Sequence, residues 1–158
     1  MKPISGIVLK IIVPLMLAAL VGCGTKEKSF VQAFRGLVES AQHDQRVVVK
    51  VSSVTDFSWD KLFIFGPYTP SDKIDRQLGY IWSSKAKDRI AFTQGVSLMV
   101  FVQDGIVVRY FEYPRQYGDF ELPPTMNTFL RGDDNFKIGA DRTTTNWPVL
   151  LPLKGVTD

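Results

Sequence analysis

The chain has 158 residues, 45% of them hydrophobic and 22% charged, with a formal net charge of +3, one cysteine and one histidine. One cysteine excludes an internal disulfide, and one histidine leaves too few ligands for a His/Cys metal centre. No basic stripe of the kind that tracks a phosphate backbone is present, so nucleic acid is not an expected partner.

The first element decides where the rest of the chain works. Lys2 and Lys10 precede an unbroken apolar run of 11 residues, 11–21, which contains Pro14 and ends in Leu20-Val21-Gly22-Cys23. A membrane-spanning helix needs about 20 apolar residues, whereas a run of about 10–14 suits a signal h-region or a buried helix. Basic residues before the run and small residues after it are the order of a cleaved secretory leader. Pro14 fits that reading better than it fits a core helix. The alternative is an uncleaved membrane helix over 4–21, which would bury Lys10 at its middle at a high cost.

Leu20-Val21-Gly22-Cys23 resembles the lipobox of bacterial lipoprotein precursors. That resemblance implies cleavage before Cys23, a diacylglycerol on its sulfur and a fatty acyl chain such as palmitate on the new amino group. Two or more chains give stable anchoring, at about 0.8 kcal/mol per buried methylene. The expected partner is therefore a membrane, reached through lipid on Cys23, and the expected location is the bacterial cell envelope. In a Gram-negative host, Gly24 in second place implies the periplasmic face of the outer membrane. Loss of residues 1–22 from 158 would leave 136, suited to one domain, and loss of Lys2 and Lys10 would lower the charge from +3 to +1.

Residues 23–29 read as the lipidated cysteine and a short polar tether, with a reach of at most about 20 Å when extended. Residues 30–158 read as a single α+β domain. Phe30, Phe34, Leu37, Val38 and Ala41 recur at helical spacing and predict a helix over 29–42. Residues 46–54 are rich in valine and alternate, which predicts a strand; 61–65 predicts another. Gly66-Pro67-Tyr68-Thr69-Pro70 is a rigid turn. Residues 71–78 read as a two-turn helix with Ser71 as cap and Gly79 as stop.

Residues 80–83 and 88–93 give further strand signals. Residues 96–103 and 106–113 flank Asp104-Gly105, the strongest short hairpin signal. Beyond Pro114, prolines break up the chain. One short strand or helical turn is expected near 126–130, with the rest irregular and the tail after Trp147 poorly ordered. The whole predicts a mostly antiparallel sheet of four to six strands with the N-terminal helix on one face.

The most distinctive internal stretch runs from Phe57 to Pro70 and contains Trp59-Asp60-Lys61, an apolar strand, and Gly66-Pro67-Tyr68. It resembles a segment of small bacterial lipoproteins of uncharacterised function, loosely extending to 101–105 and Pro114-Arg115. The resemblance implies no activity and no catalytic residue. Trp59 and Tyr68, with Asp60 and Lys61 beside them, are either an aromatic binding edge or, with Phe63 and Phe65, core packed under the helix. His43 beside Asp44 reads as a surface histidine at a helix end. The carboxylates Asp60, Glu112, Asp133 and Asp134 are the remaining candidates for acid–base work on a glycan, with the 133–134 pair otherwise a solvated turn or weak calcium loop.

No cofactor, catalytic residue or metal site follows from the sequence. The expected class is a non-enzymatic, lipid-anchored binding or structural protein facing an envelope protein or cell-wall material. Two alternatives stand beside it: a carboxylate-dependent hydrolase of glycan or peptidoglycan, and an inhibitor or exclusion factor at the envelope. An enzyme should converge polar groups on a cleft, whereas a binding module should expose aromatics at an edge or patch.

Overall fold

A computed structural model of the chain describes residues 23–140 and 145–153. The expected leader, 1–22, and the last five residues of the tail, 154–158, lie outside that range. The fold is α+β. Among the described residues, helix α1 (Cys23–His43) is followed by strands β1 (Val49–Lys50) and β2 (Lys61–Phe65), and helices α2 (Ser71–Leu78) and α3 (Lys85–Ile90). The hairpin β3 (Val96–Gln103) and β4 (Ile106–Pro114) comes next, then β5 (Asp119–Phe120), β6 (Thr128–Leu130), β7 (Asn135–Gly139) and β8 (Val149–Pro152).

Two four-stranded sheets form rather than one. The order β4-β3-β2-β6 is antiparallel throughout, and β1-β7-β8-β5 is antiparallel except for the parallel β5–β8 pair. The main core fills the space between the sheets and α1. Phe30, Phe34, Val38 and Ala41 of α1 meet Leu62, Ile64, Met99, Phe101, Phe111 and Tyr113 from the first sheet and Val49, Phe136 and Leu150 from the second. Ring contacts run through it: Phe30 stacks on Phe111 at 4.1 Å, and Phe34 meets Tyr113 edge-on at 4.9 Å. A smaller cluster on the other face of the first sheet joins Phe63, Phe65, Leu98, Val100 and Val102 to Ile74, Trp82, Ala86 and Ile90. β2 and β3 are thus buried on both faces, which is why they read as continuous apolar runs rather than alternating ones.

Several local expectations are corrected. Residues 23–29, read as the lipidated cysteine and a short tether, are helical here, because α1 begins at Cys23. The strand over 46–54 is cut to two residues. Val51 N–H donates to the Asp134 carbonyl and Ser52 N–H to the Asp134 carboxylate, and these bonds turn Val51–Val54 into a 3-10 helix. Ser53 and Thr55 hydroxyls donate to the Lys50 and Ser52 carbonyls at 2.6 and 3.2 Å, a competition with the sheet ladder open to Ser and Thr. Residues 80–83 are irregular, held by Trp82 N–H donating to Asp75 and Val107 N–H to the Tyr80 hydroxyl. Residues 88–93 belong partly to α3, whose start is capped by Ser84 accepting from Ala86 N–H at 3.3 Å. Ser71 does not cap α2; its hydroxyl ties α2 to the Lys87 carbonyl and the Asp88 carboxylate of α3.

The region beyond Pro114 supplies three strands of the second sheet and the edge strand β6 of the first. β7, β8 and β5 order it, so the chain after Trp147 continues as a strand through Pro152. The expected turn chemistry elsewhere holds. Asp104 (φ 51°) and Gly105 (φ 79°) both take the left-handed conformation a tight two-residue hairpin needs, and Gly79 (φ 82°) closes α2.

One buried ion pair joins α2 to α3. Lys87, 6% exposed, donates to both Asp75 carboxylate oxygens at 3.0 and 2.8 Å. That bond, followed by the one from Trp82 N–H, holds the Asp75 carboxyl below its ordinary value of 3.8. A depressed folded pKa stabilises the fold above the unfolded value and loses that contribution as pH falls through the folded one. Melting temperature is therefore expected to fall as pH drops below about 3.8, and Asp75→Asn to flatten that part of the curve. An unchanged acid limb in the variant would assign the loss to other groups.

Candidate functional site

Where β2 ends, the chain leaves the sheet through Gly66-Pro67-Tyr68-Thr69. Thr69 hydroxyl donates to the Gly66 carbonyl at 2.7 Å, and Tyr68 N–H to the Ile90 carbonyl at 2.9 Å, so the turn is fixed from both sides. Opposite it, the proline-rich segment 122–127 folds on itself through Met126 N–H donating to the Pro123 carbonyl. Ile64 N–H donates to the Asn127 carbonyl, and the Gln77 and Asn127 amides bond to each other at 2.6 and 3.3 Å, linking this segment to β2 and α2.

Between these walls lies a cleft of about 210 Å³ at the junction of the two sheets. Its apolar lining comes from Ile64, Pro67, Phe120, Pro124 and Met126 among others; its polar lining from Thr69, Lys73, Gln77, Ser97, Arg115, Asp119 and Asn127. Arg115 and Asp119 form a two-pronged pair at 2.7 and 2.6 Å, with both side chains about one fifth exposed. The Asp119 hydrogen bond is the main cause that raises the Arg115 pKa above its ordinary value, and the nearby Tyr68 phenol adds a smaller push in the same direction. The third Arg115 nitrogen donates to the Gln94 carbonyl at 3.0 Å, and the guanidinium lies 5.4 Å from the Trp147 ring. Tyr113, beside Ser97 in the strand pairing but outside the cleft's lining, is fully buried; its hydroxyl donates to the Tyr117 carbonyl at 3.1 Å, and burial raises its pKa.

The structure separates the sequence candidates. Tyr68 does not line the cleft itself but lies between two residues that do, Pro67 and Thr69; it is 58% exposed, with φ of 60°. Among the described residues, the other positive-φ residues apart from glycine are Asp104 and Asn146, types that tolerate this conformation; an aromatic there is strained. Such strain marks positions held by their surroundings, often at functional sites, and costs about 1–3 kcal/mol. Tyr68→Gly is expected to raise the urea midpoint, by about 1 kcal/mol of stability. An unchanged or lower midpoint would mean the ring's contacts outweigh the strain.

Trp59 is core, 2% exposed. Its indole N–H donates to the Thr55 hydroxyl at 3.0 Å, and its ring meets Phe101 edge-on. Phe63 and Phe65 are buried too, but beneath α2 and α3 on the opposite face from α1. Asp60 accepts from Asp104 N–H at 2.8 Å through one carboxylate oxygen, while the other is buried without a hydrogen bond. His43 is exposed at the end of α1.

The candidate acids do not converge. Glu112 is paired with Arg89, and Asp134, fully buried, accepts from the Ser52 and Gly132 N–H groups. Neither these nor Asp60 and Asp133 line the cleft, whose one carboxylate is Asp119. Among the described residues no group of three or more His, Cys, Asp or Glu is arranged to hold a metal, and no helix is long and apolar enough to cross a membrane.

Sequence reasoning missed Lys73, Ser97 and Asp119. Arg115 appeared only beside Pro114 in the resemblance to small lipoproteins. No spacing rule joins these four positions; the strand pairing and the 122–127 segment bring them together. Compared with known proteins, the chain matches no family model, no curated protein and no solved structure.

Proposed function

We propose that this chain is a lipid-anchored, non-enzymatic binding protein of the bacterial cell envelope, with the cleft beside Tyr68 as its binding locus. The carrying observation is the sequence Leu20-Val21-Gly22-Cys23 at the end of a short apolar run, immediately followed by a helix that belongs to the domain. α1 starts at Cys23 and is buried from Phe30 onward through Phe34, Val38 and Ala41. Seven residues of helix span only about 10 Å. A lipid on Cys23 would therefore hold the domain against the bilayer through a stiff link, not a loose one.

Two features support binding over catalysis. The cleft is a small recess lined by both apolar and polar side chains, several of the polar ones fixed by hydrogen bonds to each other, so it offers a preformed surface to a ligand. Its acid and its arginine are bonded to each other, so neither is poised to move a proton. Cys23→Ser is expected to shift the protein from the detergent phase to the aqueous phase in a two-phase extraction, or to leave an uncut precursor. Unchanged partitioning of a processed protein would count against acylation at Cys23.

A further inference from the structure

The charge of the cleft is not balanced. Arg115 and Asp119 neutralise each other, while Lys73, exposed on α2 and lining the same recess, forms no ion pair among the described residues. Its helical neighbours are committed elsewhere: Asp72 to Arg76, and Asp75 to Lys87. Ser97 points the same way. It is 2% exposed and lines the cleft, and its hydroxyl makes no hydrogen bond within the described residues. Its oxygen is not sealed from the cleft, so it is open to water or to a ligand there.

We propose that the cleft binds one carboxylate carried on a compact apolar group, with Lys73 balancing its charge and Ser97 bonding to a polar atom of the ligand. Size sets the apolar part. A space of about 210 Å³ lies below the roughly 300–1,000 Å³ of sites for drug-sized molecules and suits a single amino-acid-sized unit. Ile64, Pro124 and Met126 give that unit an apolar wall, and Pro67 and Thr69, on either side of Tyr68, border it as well. The chemistry is shared by a free small carboxylic acid and by the C-terminal residue of a peptide. The inference rests on the cleft being the binding locus.

Calorimetric titration of the full-length protein in detergent micelles separates the possibilities, using N-acetyl-leucine, its neutral amide and N-acetyl-alanyl-leucine. The acids are expected to bind and the amide to bind at least tenfold more weakly. Lys73→Met should weaken the acids about tenfold and leave the amide unaffected; Ser97→Ala should weaken all three severalfold. Lys73 is exposed and Ser97→Ala removes a single oxygen, so both variants should keep the wild-type melting temperature, which is checked alongside. Tighter binding of the dipeptide than of N-acetyl-leucine identifies a peptide terminus, and equal or weaker binding identifies a free acid; both support the carboxylate assignment. Equal binding of acid and amide, or no effect of Lys73→Met, overturns that assignment while leaving the cleft as a binding locus. Failure of all three probes to bind at millimolar concentration overturns the cleft itself.

Discussion

Phe34→Ala is expected to cost the domain about 4 kcal/mol, read as a lower urea midpoint by fluorescence of the buried Trp59. Phe34 is fully buried, touches Phe30, Tyr113 and Phe120, and joins α1 to both sheets. A native domain has about 5–15 kcal/mol in total, so this one truncation should remove a large share of it. The effect bears on function, because α1 is the only element between Cys23 and the domain. If the loss were under about 1 kcal/mol, α1 would not be an integral part of the core and the stiff link to a membrane would fail.

Asp134→Ala is expected to cost about 3 kcal/mol by a different route. The carboxylate is fully buried and accepts from Ser52 N–H and, at 2.7 Å, from Gly132 N–H. Removing it leaves two backbone donors without partners, each at a cost of about 1–3 kcal/mol where water cannot reach. The loss should also loosen the 3-10 helix at Val51–Val54, since Ser52 N–H is one of the two donors left without a partner. Asp134→Asn keeps one acceptor and should lose less than the alanine variant. Equal losses in the two variants would mean that packing, not hydrogen bonding, is what Asp134 supplies.

These two residues also show what could be read from the sequence. Phe34 announced itself, because a helix one face of which repeats Phe30, Phe34, Val38 and Ala41 can only bury that face. The β3–β4 hairpin was equally legible, since Asp104-Gly105 sets its own geometry through two positive φ angles. Asp134 was not. It looked like half of a solvated acidic pair in a loop, and its role depends on a partner 82 residues earlier in the chain. Non-local pairing also hid the second sheet. β5 and β8 are short and proline-flanked, and they become strands only by pairing with each other and with β7. Local propensity carries no trace of such pairing.

The candidate site was the least legible part. Tyr68 was singled out with Trp59 because both are aromatic and bracket one apolar strand. What flanks the strand then parts them: Trp59 enters the core between α1 and the first sheet, whereas Tyr68 is lifted into solvent by a turn that Thr69 and Ile90 fix. Lys73 read as an ordinary solvent-facing residue of an amphipathic helix. Ser97 read as a polar interruption in an apolar strand. Only the fold shows that both border one cleft, and that the salt bridge within it leaves one positive charge over.

The anchor and the cleft make separate demands on the chain, and each can fail alone. The central claim is that this domain is held at a membrane by lipid on its own first helix. Intact mass measurement of the native protein tests it most directly. The account predicts a chain that begins at Cys23 and carries the added mass of a diacylglycerol and a further acyl group. A native chain retaining Met1, with an unmodified thiol at Cys23, would contradict it.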